Sequence, residues 1–274
     1  MEMHDNAPKK NNAASIFAWV IIPLSLVISI LIFVYVLGAA HNFDEEGHPV
    51  NLVGTMHEGG PVVPVLMSCF LIALTVSIER MIVIMAAVGK GNLDNFVRNV
   101  KGSLMSNKLD EAMALCDEQR GSVGNVVHEV LKTYKKVLND KGLSRDKKLE
   151  YINKELEDAS ALEMPALERN MGIVATLASV STLLALFGTV LGMIRAFMAL
   201  AASGTPDPQA LSTGISEALI NTALGIFTSA ISIIAYNFLT ARVDNLTHKI
   251  DEVGYVINQH FLMTPVEKEE KSYV

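Results

Sequence analysis

The chain predicts an all-α integral membrane protein whose four transmembrane helices extend into a cytoplasmic helical domain. Half of its 274 residues are hydrophobic and the mean hydropathy is +0.34. Four apolar stretches (15–40, 61–88, 171–200 and 211–239) are each long enough to cross a hydrocarbon core of ~30 Å. Charge separates them in a definite pattern. Two lysines precede the first stretch, fourteen of the twenty-two Lys and Arg residues lie between 89 and 169, and four follow the last stretch. The loops 41–60 and 201–210 contain no Lys or Arg, so both ends and the central segment are expected in the cytoplasm.

Residues 1–14 read as a polar cytoplasmic tail. In the extra helix 15–40, Trp19 and Pro23 suit an interfacial aromatic and an entry kink. Its uncharged run exceeds the apolar core of a signal peptide, about 7–15 residues, so a retained span is expected. The loop 41–60, with three histidines and four carboxylates, matches no metal-site spacing and reads as a solvated periplasmic loop. The second span, 61–88, carries Glu79 and Arg80 near its end. They are either membrane-edge anchors or the start of a helix continuing into the cytoplasm.

The segment 89–170 reads as the cytoplasmic helical domain. Leu93, Phe96, Val97 and Val100 mark one amphipathic helix; Leu109, Ala112, Met113 and Cys116 mark a second. Gly121 to Gly124 is expected to break the pattern before Val126, Val127, Val130, Leu131 and Tyr134 resume it. Ser144 is a candidate N-cap for a long helix through Leu149, Ile152, Leu156, Ala159 and Leu162. Pro165 is expected to kink that helix and not to end it. Cys69 and Cys116 are expected as free thiols.

In the third span Ala178, Ser181, Ala185, Gly188 and Gly192 share a face, and Gly188-x-x-x-Gly192 permits a close helix crossing. After a Pro/Gly periplasmic turn at 201–210 comes the span that organises the chain, 211–239. Gly214, Glu217, Asn221, Gly225, Thr228 and Ser232 form a polar stripe along it, opposite a face of Ile, Leu, Phe and Ala. Such a stripe faces other helices or a water-lined path, and an intramembrane carboxylate such as Glu217 is a functional candidate. The small and hydroxyl residues could equally serve close packing. Residues 240–274 read as a solvated cytoplasmic extension.

Three runs in these two spans carry a resemblance: Leu186-Phe187-Gly188-Thr189-Val190-Leu191-Gly192-Met193-Ile194; Gly214-Ile215-Ser216-Glu217-Ala218-Leu219; and Thr222-Ala223-Leu224-Gly225, with Tyr236-Asn237 beyond. Together they resemble the MotA/TolQ/ExbB proton-channel family, and ExbB most closely, over roughly residue 61 to the end. The resemblance implies a pentamer in the bacterial inner membrane around single-span partners of the ExbD/TolR type. Proton flow would drive movement passed to a TonB-like or TolA-like protein. It also implies pore-lining or ion-pathway roles for Thr189, Glu217 and Thr222, and helix-packing roles for Gly188, Gly192 and Gly225. Two departures stand out: the extra span 15–40 beside the family's three-helix core, and Arg195 where an uncharged polar residue is expected.

Residue positions support this reading independently. Thr189 and Thr222 both lie eleven residues from the outer ends of their spans, about 16 Å deep at 1.5 Å per residue. Hydroxyls at that depth can hold water or a partner's carboxylic acid but carry no charge themselves. The resemblance therefore assigns the titrating group to an Asp of the partner. Arg195 and Glu217 both lie about 8–9 Å below the outer ends. Opposite charges at one depth in a membrane are expected to pair, keeping Glu217 ionised and the two helices in register.

Other classes find less support. No G-x-S-x-G, H-E-x-x-H or Walker A pattern occurs, so no enzyme is expected, and no cofactor or metal. No basic stripe suggests nucleic acid. A TolQ-like envelope motor, a flagellar-type stator or a non-conducting membrane scaffold remain alternatives, as does sodium as the ion.

Overall fold

A computed structural model describes residues 12–140, 142–202 and 208–263. The N-terminal tail to residue 11, the centre of the 201–210 turn and the tail from 264 lie outside the described residues. Among the described residues nine α-helices run in chain order: α1 Asn12–Leu31, α2 Leu52–Glu58, α3 Val62–Val88, α4 Leu93–Met105, α5 Leu109–Gln119, α6 Gly121–Asn139, α7 Arg145–Glu168, α8 Met171–Ala202 and α9 Pro208–Met263. Among the described residues the one β feature is an isolated bridge, Phe43 with Pro49. Four helices of the described residues are long and apolar enough to cross a membrane, so the protein is an all-α, multi-pass membrane protein. The chain divides into two compact units, residues 1–78 with 170–236, and 79–169 with 237–274.

The first unit buries polar groups and exposes apolar ones. Cys69, Ile72, Ala73 and Val76 of α3 pack with Val174 and Leu177 of α8, and partly buried Ala235 and Tyr236 of α9 join them. Nearer the other end Val62 and Leu66 of α3 meet Ala185 of α8, with Leu191 and Leu224 against them. All six stripe residues of the fourth span are buried. Leu219, Phe227 and Ile234 on the opposite face stay exposed, as helices solvated by hydrocarbon allow.

α1 continues as a π-helical turn, Ile32–Leu37, with Pro23 inside the α-helical part. From Trp19 to Leu31 it buries a narrow strip, Ile21, Ser25 and Ser29, at four-residue spacing. The following loop is ordered, which corrects the expectation of a merely solvated segment. Asn42 donates to the carbonyls of Val36 (2.7 Å) and Leu37 (3.0 Å), satisfying groups the helix end leaves over. Asn51 caps α2 by accepting from the Gly54 amide at 2.8 Å and donates to Asn42 Oδ1 at 3.0 Å. Two asparagines thus tie both ends of the loop together.

The second unit has an ordinary apolar core. Phe96, Val97, Val100 and Leu104 of α4, Cys116 of α5, and Val126, Val130, Leu131 and Tyr134 of α6 are buried. The C-terminal part of α9 buries Val243, Leu246, Ile250, Val253, Ile257 and Phe261, at spacings of three and four. It is therefore an amphipathic core helix and not the wholly solvated extension expected; its charges obscured the apolar stripe between them. Asn258 donates to Asn153 Oδ1 at 2.6 Å, and Lys249 pairs with Asp94 at 2.7 Å. Arg80 is buried beside Glu79 and donates to the Ala166 carbonyl at 3.1 Å, so it is a core charge and not an edge anchor.

Some local expectations change. α6 begins at Gly121, so the break is confined to the left-handed pair Arg120 (φ 56°) and Gly121 (φ 72°). A Cβ on Gly121 would also lie 2.3 Å from the Ala87 carbonyl oxygen, which leaves that position to glycine. Ser144 stands at the N-cap of α7 without a side-chain hydrogen bond there. Pro165 lies within α7, which ends three residues later, before the left-handed Asn170 (φ 61°). Leu162, expected on the apolar face, is exposed. Both cysteines are free, and burial pushes the Cys116 thiol up to about 12.

Candidate ion pathway

Glycine brings α8 and α9 close enough for backbone to meet backbone. A Cβ on Gly192 would lie 2.7 Å from the Ala218 amide nitrogen and 2.8 Å from the Gly214 carbonyl oxygen. A Cβ on Gly214 would meet the Ala196 nitrogen at 2.7 Å, and one on Gly225 the Ala185 Cβ at 2.1 Å. Gly188 leaves the room that the Asn221 side chain occupies, since a Cβ there would stand 2.8–2.9 Å from it. The packing glycines singled out in the sequence thus all lie in one α8–α9 seam.

Within that seam the two threonines touch. Thr189 Oγ1 and Thr222 Oγ1 are 2.5 Å apart, and both stand near the Ala218 carbonyl oxygen, at 3.4 and 3.0 Å. Thr189 also reaches the Ala185 carbonyl at 3.0 Å. Two hydroxyl protons face more acceptors than they can serve, so the pair can exchange partners without moving its backbone. Both threonines are half-buried within the chain, which leaves them an open side.

About one and a half turns nearer the outer ends, Arg195 Nη1 hydrogen-bonds Glu217 Oε1 as an ion pair. The two ends of this bond differ. The Glu217 side chain is 4% exposed and that of Arg195 is 50% exposed. Glu217 therefore points into the chain and does not share the open side of the threonines, which alters its expected place in a pore lining. A buried carboxylate with a guanidinium partner serves to hold helices together.

Contacts from residues 48–60 complete the site, and sequence reasoning did not foresee them. Glu58 Oε2 accepts from Ser216 Oγ at 3.1 Å, and the Gly59 carbonyl accepts from Asn221 Nδ2 at 3.0 Å. Gln209 and His48 also meet through their side-chain nitrogens. Asn221 was visible only as one member of the stripe. Its separation of 162 residues from Gly59 leaves no periodic signal to find. Among the described residues no cluster of three His, Cys, Asp or Glu side chains could hold a metal ion.

A family model described as the MotA/TolQ/ExbB proton channel family matches residues 124–252, which include Thr189, Arg195, Glu217 and Thr222. Over that segment, just under half of its length, the chain is similar to that family. It is a multi-pass membrane protein whose similarities point to a proton-channel and energy-transducing family. Relatives of two names resemble it. The Tol-Pal system protein TolQ of Haemophilus influenzae is 40% identical over 101 residues, 35% of this chain. The alignment spans 44% of that protein, less than half its length. TolQ of Pseudomonas aeruginosa is 29% identical over 57% of this chain and 68% of its own. The biopolymer transport protein ExbB of Neisseria meningitidis serogroup A is 26% identical over 73% of this chain and 93% of its own.

Proposed function

We propose that this chain is the ExbB-like subunit of an inner-membrane energy transducer. It assembles as a homo-oligomer, a pentamer by family resemblance, around a single-span ExbD/TolR-type partner. It works as a channel subunit and not as an enzyme. Proton-motive force acting through that complex drives a TonB-like protein that serves outer-membrane transport. The observation that carries this reading is the touching pair Thr189–Thr222, mid-span, with an open side and no titratable group of its own. A carboxylic acid presented by a partner helix at that depth would find acceptor lone pairs there and could protonate and deprotonate beside them.

Both ends of the chain and residues 89–170 lie in the cytoplasm, and 41–60 and 201–210 in the periplasm, in keeping with the distribution of Lys and Arg. A second reading, a TolQ-like motor for envelope maintenance, is favoured by the 40% identity to the Haemophilus TolQ over the segment they share. Cryo-electron microscopy of the chain co-expressed with its genomic neighbour tests the proposal. A ring of this chain around a partner helix with an Asp level with Thr189 and Thr222 is the expected result. A ring with no central helix, or one whose centre is filled by lipid, contradicts it.

A further inference from the structure

The two departures from the family pattern, the extra N-terminal helix and Arg195, meet at one place. The His57 ring stacks on Phe33 of the π-helical turn, with centroids 4.5 Å apart, and takes Phe43 edge-on at 5.6 Å. Residues 40–60 are thereby fastened to the end of α1. Their last turn then lies on α9. Gly59 accepts from Asn221, and Gly60 (φ 72°) runs so close that a Cβ would stand 2.6 Å from Glu217 Oε1 and 3.2 Å from Arg195 Nη1.

Asn221 links this contact to the threonines. Gly188 faces Asn221 and Thr189 faces Thr222, two consecutive pairs across the seam. One residue is about 100° of helix rotation, so fixing Asn221 fixes the direction of Thr222. Asn221 is fully buried, yet its Oδ1 has no hydrogen-bond partner among the described residues. A residue kept only to fill space would be apolar, because half of this amide goes unsatisfied in the membrane. What the amide does supply is the Nδ2 bond to Gly59.

We propose that residues 40–60, carried by the extra helix, are a built-in clamp on the pore-lining helices, and that Asn221 is the positioning residue through which the clamp holds Thr222 against Thr189. Its functional half rests on the proton-channel reading above. The clamp itself does not.

The test uses the full chain in lipid nanodiscs and compares wild type, Asn221→Ala and Asn221→Asp by hydrogen exchange. Loss of one buried hydrogen bond should speed exchange in residues 52–63 by about tenfold in Asn221→Ala. Residues 243–257 should be unchanged. Protonated Asp is isosteric with Asn and can donate to Gly59; ionised Asp cannot. It would also face Glu217 on α9 and Glu58 on α2, with Arg195 of α8 beside Glu217. Asn221→Asp should therefore match wild type at low pH and Asn221→Ala at high pH, each compared at the same pH. Exchange that matches wild type in Asn221→Ala, or that shows no pH dependence in Asn221→Asp, overturns the clamp.

A second arm measures proton flux in liposomes with the co-expressed partner. The same pH-dependent recovery in Asn221→Asp is expected, and equal flux in all three proteins overturns the positioning role. If wild type itself carries no protons, the channel reading fails while hydrogen exchange still judges the clamp.

Discussion

The two units of the molecule obey the same helical geometry with opposite choices of what to bury. Around α8 and α9 the buried side chains include Ser181, Glu217, Asn221, Thr228 and Ser232, while Leu183, Phe187, Ile226 and Ile234 are exposed. In the other unit Phe96, Leu104, Leu131, Ile250 and Ile257 are buried. Its exposed positions carry pairs such as Lys132 with Glu129. In water, removing apolar surface drives association, at roughly 25 cal/mol per Å². In hydrocarbon that drive is absent, and close backbone approach with hydrogen bonds takes its place. The difference makes each unit vulnerable to a different kind of substitution.

The largest expected effect concerns which unit meets which medium. A reporter fused after Glu46 should be active only in the periplasm, and one after Lys136 only in the cytoplasm. Activity of the Glu46 fusion in the cytoplasm would break the assignment of the first helix as a span.

Glycine substitutions sharpen the comparison next. Alanine normally favours a helix over glycine by about 1 kcal/mol. Gly225→Ala should reverse that sign, because its Cβ would meet Ala185 Cβ at 2.1 Å and force the seam apart. A loss of about 1–3 kcal/mol is expected for such overpacking. Gly172→Ala, in the same helix pair but with nothing within 4 Å, should be neutral or stabilising. Unfolding in detergent measures both, and equal effects at the two sites would dissolve the distinction.

The ion pair comes third. Arg195→Ala strands a buried carboxylate, and with the guanidinium itself half exposed a loss of about 2 kcal/mol is expected. Adding Glu217→Gln should recover most of it. Additive losses in the double variant would show that the pair does not brace the seam.

The smallest effect belongs to the unit with the ordinary core. Burial holds His260 below its usual pKa, beside the Tyr134 hydroxyl at 2.7 Å. The unfolded chain takes up a proton near the ordinary imidazole value of 6.5 while the folded chain resists. Stability should therefore be flat above that pH, fall slightly as pH drops through it, and level off below the folded pKa. Hydrogen exchange in residues 243–261 between pH 5 and 8 measures this, and His260→Gln should remove the slope. An unchanged slope in that variant assigns it to another group.

Much of the fold was legible because helical periodicity is local. The four apolar stretches, the amphipathic residues of α4 to α6 and the stripe on α9 all follow from spacing along one chain segment. Arg195 and Glu217 could be brought together from sequence because membrane depth supplies a shared coordinate for distant residues. The apolar face of α9 beyond residue 240 was masked by charges placed between its core positions. The order in residues 40–60 was hidden for a different reason. It depends on asparagine side chains closing on carbonyls and on one amide reaching Gly59 across 162 residues, and neither has a period. Glu217 read as a pore residue because its stripe faces inward, and only the packing of Gly60 and Arg195 reveals that inward means within one chain.

The central claim is that the Thr189–Thr222 pair serves proton movement. Its most direct measurement is voltage-driven proton uptake by liposomes containing the chain and its co-expressed partner, for wild type and for Thr189→Val with Thr222→Val. Valine keeps the shape of threonine and removes the hydroxyl. At equal incorporation and equal oligomer size, the double variant should fall to the level of empty liposomes. Uptake at the wild-type rate would contradict the account.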